Sequence, residues 1–181
     1  AHSQASVTLL DPELSGPILD YCAGGGGKSL ALAAWLGGPV HAHDVNPRRM
    51  VDLPIRAERS NAQISTRTKD QFAHEYGVVF CDAPCSGSGS WRRDPEGKWA
   101  LTQDQLDALI STQREILSDA AKLVAPDGRL VYATCSVLAC ENQDQIDWFT
   151  AQNPTWRVEV QNQWIPSAHG DGFFASVLTQ L

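Results

Sequence analysis

Beyond Pro17 the chain alternates short β-branched runs with longer stretches whose apolar residues recur every third or fourth position, the pattern of strands interleaved with helices. Strands are expected at 18–21, 40–43, 64–66, 78–81 and 129–133, with a last one at 172–178. Helices are expected at 28–36, 47–61, 103–124 and 141–152. The third helix is the best marked. Thr102 and Gln105 form a capping box, Leu106, Leu109, Ile110, Ile116, Leu117, Leu123 and Val124 keep helical spacing, and Pro126-Asp127-Gly128 stops it. This alternation predicts an α/β fold, a mainly parallel sheet covered by helices. Four of the strand runs are followed by Asp, Gly, Cys or Ser, which gathers polar chemistry at the carboxyl edge, where open sheets of this kind hold ligands.

Composition narrows the class. With 181 residues, 43% apolar and 19% charged, the chain has enough material for one compact domain and none of the bias of disordered or fibrous sequences. No apolar run reaches the roughly 18 to 20 residues that span a bilayer, and the N-terminus lacks a signal core, so no membrane is expected. Five cysteines, at 22, 81, 85, 135 and 140, make an odd set in a chain too large to need staples, which points to a reduced, cytoplasmic setting. The formal charge of -7 supplies no general basic field, so any phosphate-binding charge is local or comes from elsewhere. The chain starts at Ala1 without an initiator Met and is expected to be a piece of a longer protein.

The run Cys22-Ala23-Gly24-Gly25-Gly26-Gly27-Lys28-Ser29 follows a strand and opens a helix, so backbone N–H groups can approach a ligand at the positive helix end. Two ligand classes fit. A phosphate loop is matched by Gly27-Lys28-Ser29, and the run at 78–82 resembles the metal-binding strand of such proteins, but Cys22 occupies the position where the motif needs its first Gly. The other class is a nucleoside-bearing cofactor lying across the sheet. Its amino-acid end would meet the glycine loop, Asp44 at the end of the second strand would hold the ribose, and Asp70 beyond the third would accept from an adenine amino group. Taken singly, each Asp also reads as a turn or cap residue; in this order they point to S-adenosylmethionine.

Asp82-Ala83-Pro84-Cys85 ends the fourth strand and Thr134-Cys135-Ser136 the fifth, so adjacent central strands would bring Cys85 and Cys135 together beside that crevice. Cys81, Cys22 and Cys140 read as small apolar residues. A zinc site from Cys81, Cys85, Cys135 and Cys140 is the competing reading, although the gaps lack the usual knuckle spacing. Two thiols and an acid beside a methyl donor suit a pyrimidine acceptor. Carbon 5 of cytosine becomes nucleophilic only after a thiolate adds to carbon 6, and a carboxyl such as Asp82, in its protonated form, would relieve the charge at ring nitrogen 3. The base would have to leave its stack.

These residues resemble the Fmu/Sun/NOL-type RNA (cytosine-5-)methyltransferases over nearly the whole chain from about Ser3. LDYCAGGGGKS resembles the first cofactor motif, DAPCSGSGSWRRDPEGKW the Pro-Cys loop, YATCSVLACEN the Thr-Cys loop and HGDGFFASVL the closing strand pair. The resemblance implies a Rossmann-like class I methyltransferase fold, a mainly parallel seven-stranded sheet with an antiparallel last strand, as one catalytic domain over 1–181. It implies Cys135 as the nucleophile and Cys85 as the residue that helps break down the covalent intermediate, an assignment that spacing alone leaves open. It places Cys22, Ala23, Gly24, Gly25, Gly26, Gly27, Lys28, Asp44, Arg49, Asp70 and Asp82 on cofactor positions, with Asp82 and Lys28 also facing the target base. The implied partners are S-adenosylmethionine and RNA, ribosomal first and transfer RNA second, with no metal and a monomeric enzyme.

The chain departs from the family where Gly24-Gly25 replaces the usual Ala-Pro, a looser loop whose ordering is expected to cost up to about 1 kcal/mol and to weaken cofactor binding. Ala139-Cys140 replaces a more usual Pro-acid pair. Only Ser3 and Gln4 remain of the motif that precedes the domain, and the N-terminal RNA-binding part typical of relatives is expected to be absent. Local RNA contacts are expected from Trp91, Arg92, Arg93, Lys98 and Trp99, which read equally as a solvated loop with core anchors. Trp148, Phe149, Trp156 and Trp164 read as packing residues. The competing functional class is a methyltransferase-like scaffold that binds RNA without turnover, a role that has no need of two thiols and an acid.

Overall fold

A computed structural model describes residues 2–73, 75–168 and 170–181. Seven strands, β1 Ile18–Asp20, β2 Val40–Ala42, β3 Ile64–Thr66, β4 Tyr76–Asp82, β5 Val124–Thr134, β6 Trp156–Trp164 and β7 Phe173–Gln180, form one sheet in the order β3-β2-β1-β4-β5-β7-β6. The first five pair in parallel and β7 inserts antiparallel between β5 and β6, as expected of a mainly parallel sheet with one reversed closing strand.

The central strands form where β-branched and aromatic residues can be buried on both faces. Along β4 the side chains alternate between two cores. Val79 and Cys81 join Leu19, Leu117, Tyr132 and Phe149 on one face, and Val78 and Phe80 join Ile18, Leu32, Val40 and Val131 on the other. Cys81 is thus an interior packing residue with no exposed surface. The helices are α1 His2–Ala5, α2 Gly27–Leu36, α3 Leu53–Arg59, α4 Pro95–Ala100, α5 Gln103–Ala121 and α6 Gln143–Gln152. In α5 the capping box forms as predicted, with Gln105 N–H donating to Thr102 Oγ1 and Thr102 N–H to Gln105 Oε1.

Three expectations need correction. The third predicted helix ends at Ala121, and Val124 begins β5 opposite Tyr76. The pairing then jumps to Val78 opposite Arg129, so Pro126-Asp127-Gly128 forms a bulge inside a strand; Leu123 and Val124 signalled burial and not helix. The predicted helix at 47–61 is a 3-10 turn, Pro47–Met50, followed by α3, with Pro54 seated in the first turn of the second piece, where a missing N–H is tolerated. Strand β6 was not foreseen: it is an edge strand, largely exposed and rich in Arg, Glu, Gln and Asn, with a bulge between Val158 and Val160.

Strand order reverses between β1 and β4, and ligands collect at the carboxyl ends of strands beside such a reversal. Cys22 follows β1, Asp44 follows β2, Asp82 ends β4 and Cys135 follows β5. One edge of the sheet therefore carries every group with chemistry to offer.

Candidate active site

The glycine run turns sharply between β1 and α2. Ala23 N–H donates to His43 O at 2.8 Å and Gly26 N–H to Ala23 O at 2.8 Å. Gly26 sits at φ 79°, and a Cβ there would run into the Leu53 side chain, so this position admits glycine alone. Gly24 N–H donates to Asp44 Oδ2 at 2.9 Å, while Asn46 N–H reaches Asp44 Oδ1 at 2.9 Å and Arg49 Nη1 lies 3.2 Å from Asp44 Oδ2. Asp44 is buried but keeps about one acceptor site to spare, on Oδ1, because a carboxylate accepts about four hydrogen bonds. Arg56 Nη1 donates to Gly25 O, a clamp on the segment where the chain lacks a rigid residue.

A cavity of about 460 Å3 opens beside this loop, with Tyr21, Cys22, His43, Asp44, Arg49 and Lys69 at one end and Asp82, Cys85, Thr112 and Cys135 at the other. A second, of about 320 Å3, is lined by Ser3, Gln4, Ala23, Gly24, Gly25, Gly27 and Lys28, and shares Cys22, Arg49 and Asp82 with the first. Of the predicted site residues, Gly26 acts from beneath the loop, and Asp70 lies on an exposed 3-10 turn outside both linings, next to Lys69, which lines the first.

Lys28 is buried although cationic. Its ammonium pairs with Asp82 Oδ2 at 2.8 Å, donates to Ser3 Oγ from α1, and rests 4.7 Å from the centre of the Phe173 ring. This commitment to a carboxylate and a ring removes the lysine from any phosphate-cradling role. Beneath it, Asp20 has no exposed surface; its Oδ2 accepts from Ser29 Oγ at 2.6 Å and its Oδ1 has no partner.

Burial pushes the Asp20 carboxyl up to about 7, with the neighbouring Asp82 adding to the effect and Ser29 and Lys28 opposing it. The fold thus holds the neutral acid, whereas the unfolded chain ionises near 3.8. Between those values the unfolded state loses its proton first, so this group's stabilising contribution is full below about 4 and is lost as pH rises towards 7. Replacing Asp20 with Asn is expected to remove that slope. Urea denaturation at pH 4.5 and 7.5 checks it: the parent should lose on the order of 3 kcal/mol more than the variant between the two.

The two thiols meet at the mouth of the first cavity, with Cys85 Sγ 3.4 Å from Cys135 Sγ. Distance alone allows either to donate, and their neighbours break the symmetry. Hydrogen bonding from Cys85 holds the Cys135 thiol below the ordinary thiol range, against its burial and the charge of Asp82 and with the help of Lys28. The Cys85 thiol is pushed far up by that same bond, then by burial, and by the carboxylate of Glu141. Cys135 is therefore the thiol of the pair that gives up its proton more readily.

The Pro-Cys and Thr-Cys loops are tied to the closing strand by close backbone approach. Gly89 N–H donates to Cys135 O at 2.9 Å and Gly172 N–H to Gly89 O at 2.8 Å, and a Cβ on Gly89 would collide with Gly172 O and come within 2.8 Å of Cys135 O. Arg92 and Arg93 both pair with Asp171 just before β7, which neutralises part of the expected basic cluster. Trp91 Nε1 donates to Ser86 O, while Trp99 is 82% exposed with Lys98 Nζ 5.1 Å from its ring. Trp156 and Phe149 pack in the core, as predicted. His169, which begins the fourth motif, lies outside the described residues. Among the described residues no group of three or more His, Cys, Asp and Glu is placed to hold a metal, so the four thiols of the zinc reading do not converge. Sequence reasoning missed Gln113 and Glu141, both wholly buried behind the thiols; the only signal was polar residues at positions where the neighbouring pattern is apolar.

A reversed strand order at the centre of the sheet, an antiparallel β7 and a glycine loop opening on a thiol pair define a Rossmann-like methyltransferase domain. The chain belongs to the 16S rRNA methyltransferase RsmB/F family, whose model matches residues 7–179. It is 34% identical over 197 residues to the ribosomal RNA small subunit methyltransferase B of Serratia proteamaculans (strain 568), covering 100% of this chain and 46% of that protein. The chain thus spans about half the length of the curated relatives it matches. The crystal structure of PH0851 superposes with a TM-score of 0.90 at 30% identity, over 98% of this chain and 45% of that one. The structure of NSun6 from Pyrococcus horikoshii with SFG, an S-adenosylmethionine analogue, gives a TM-score of 0.86 at 21% identity, over 98% and 51%. No helix among the described residues is long and apolar enough to cross a membrane.

Proposed function

We propose that residues 1–181 form the catalytic domain of an S-adenosylmethionine-dependent RNA (cytosine-5-)methyltransferase, with ribosomal RNA as first substrate, transfer RNA as second, and a reducing, cytoplasmic setting. The observation that carries this reading is the 3.4 Å contact between Cys85 and Cys135 beside the Lys28–Asp82 pair, since a ring that must be activated by addition needs a nucleophilic thiol and a group to relieve the charge it creates.

The residues suit the cofactor. The spare acceptor site of Asp44 can take a ribose hydroxyl, the unobstructed backbone at 23–27 can receive an amino-acid carboxylate, and Cys22 and Arg49 join the two cavities. Asp70 is proposed for the adenine end. When bound, S-adenosylmethionine supplies an electrophilic methyl group. The protein's own groups do the rest. The Cys135 thiolate forms a bond to carbon 6 of the flipped cytosine, and the electron pair of the 5,6 double bond moves into the ring. The Lys28–Asp82 pair brings hydrogen bonding to ring nitrogen 3, where that charge collects. After methylation of carbon 5, Cys85 passes its own proton to water and takes the carbon 5 proton as a thiolate; the electron pair restores the 5,6 double bond, the carbon–sulfur bond breaks, and Cys135 leaves as thiolate.

Incubation with methyl-labelled S-adenosylmethionine and 16S rRNA, digestion to nucleosides and chromatography tests the reading. Label is expected in 5-methylcytidine; label in any other nucleoside, or none in ribosomal or transfer RNA, would overturn it.

A further inference from the structure

We propose that Glu141 is a positioning residue for this chemistry, a buried bolt that locks the Cys85 loop against the Cys135 loop and so sets the thiol-to-thiol contact. The inference rests on the thiol roles given above and goes beyond them by naming what holds the pair together.

Glu141 has no exposed surface and no basic partner among the described residues. Four hydrogen bonds converge on its carboxylate instead. Ser86, next to Cys85, gives its N–H to Oε1 at 2.8 Å and its hydroxyl to Oε2. Ser136, next to Cys135, gives its hydroxyl to Oε2 at 2.6 Å. Gln113 of α5 donates from Nε2 to Oε1 at 3.1 Å and also to Pro84 O at 3.0 Å, fixing the residue on the other side of Cys85. Tyr132 Oη donates to the Glu141 carbonyl at 2.7 Å, which anchors the bolt itself to β5. Each loop is therefore gripped at the residue beside its cysteine, and one carboxylate does both. Burying a carboxylate without a cation is costly unless donors replace its water, and four donors from three segments meet that demand. An apolar residue would fill the space but leave Ser86 N–H without an acceptor and the loops unlinked.

Iodoacetamide is a suitable probe because it caps the Cys135 thiolate without RNA or cofactor, so the outcome is independent of which nucleoside is methylated. Rates at Cys85 and Cys135 are read separately by peptide mass spectrometry at pH 7. Glu141→Ala is expected to slow capping of Cys135 about tenfold, the worth of one hydrogen bond to a charged sulfur. Glu141→Gln should stay within about twofold of the parent, because its amide oxygen still serves Ser86 N–H and Gln113 while the serine hydroxyls rotate to accept. In a Cys85→Ala background, Glu141→Ala should change the Cys135 rate no further. In the methylation assay Glu141→Ala should lower kcat with KM for S-adenosylmethionine unchanged. Equal slowing in the Cys85→Ala background, or Gln behaving as badly as Ala, would overturn the proposal. Should Glu141→Ala fail to fold, Ser86→Ala removes one of the same donors; a smaller slowing, seen only when Cys85 is present, is expected, and no slowing would refute it.

Discussion

Cys85→Ala is expected to stop turnover with the protein covalently joined to RNA, visible as a shifted band on a denaturing gel after incubation with S-adenosylmethionine and ribosomal RNA. This follows from the proposed division of labour between the thiols. In the proposed mechanism Cys135 forms the bond to carbon 6, and it keeps Lys28 nearby without Cys85, so addition is expected to proceed, although more slowly once the hydrogen bond from Cys85 is gone. Loss of the carbon 5 proton then lacks its helper, and the carbon–sulfur bond cannot break. Cys135→Ala, alone or combined with Cys85→Ala, should give no band and lower methylation by at least about 10⁴-fold, the scale on which loss of a nucleophile is felt. A band that persists without Cys135 would transfer the nucleophilic role to Cys85.

The second large effect is expected at the Lys28–Asp82 pair. Lys28→Met leaves the Asp82 carboxylate without its cation and Ser3 without its donor, and removes the group over Phe173. Asp82→Asn keeps the shape but ends the path by which a proton reaches ring nitrogen 3. Each should lower kcat by about 10² to 10³-fold, comparable to removing one donor from an oxyanion site, with a much smaller change in KM for S-adenosylmethionine. Stopped-time methylation assays separate the two parameters. A large rise in KM with kcat intact would instead make the pair a cofactor clamp.

Much of this site is legible in the chain because its parts are local. Glycine runs after a strand, cysteines at strand ends and an Asp closing β4 each report on backbone the chain must adopt, and parallel neighbours then bring Cys85 and Cys135 together. The Glu141 clamp is illegible for the opposite reason: its partners Ser86, Gln113 and Ser136 come from three segments, and nothing in a buried carboxylate's immediate neighbours tells which distant donors satisfy it. Strand β6 was missed because an exposed edge has one face in water and the other on a single neighbour, so its polar residues break the alternation that marks a strand. The overlong third helix shows the same limit, since apolar Leu123 and Val124 state that they are buried without stating in which conformation.

The position of β7 has a consequence for the order in which the molecule assembles. It follows the other six strands in sequence, yet it lies inside the sheet, hydrogen-bonded to β5 on one side and β6 on the other. Until residues 173–180 leave the ribosome, β6 has no partner and β5 has an open edge, so folding must wait on contacts distant in sequence. The same strand delivers Phe173 to Lys28, and the residues just before it bring Asp171 to the two arginines and Gly172 to Gly89. Without it the glycine loop and the two thiol loops lack these ties. The proposed site is therefore complete only once this eight-residue strand has docked.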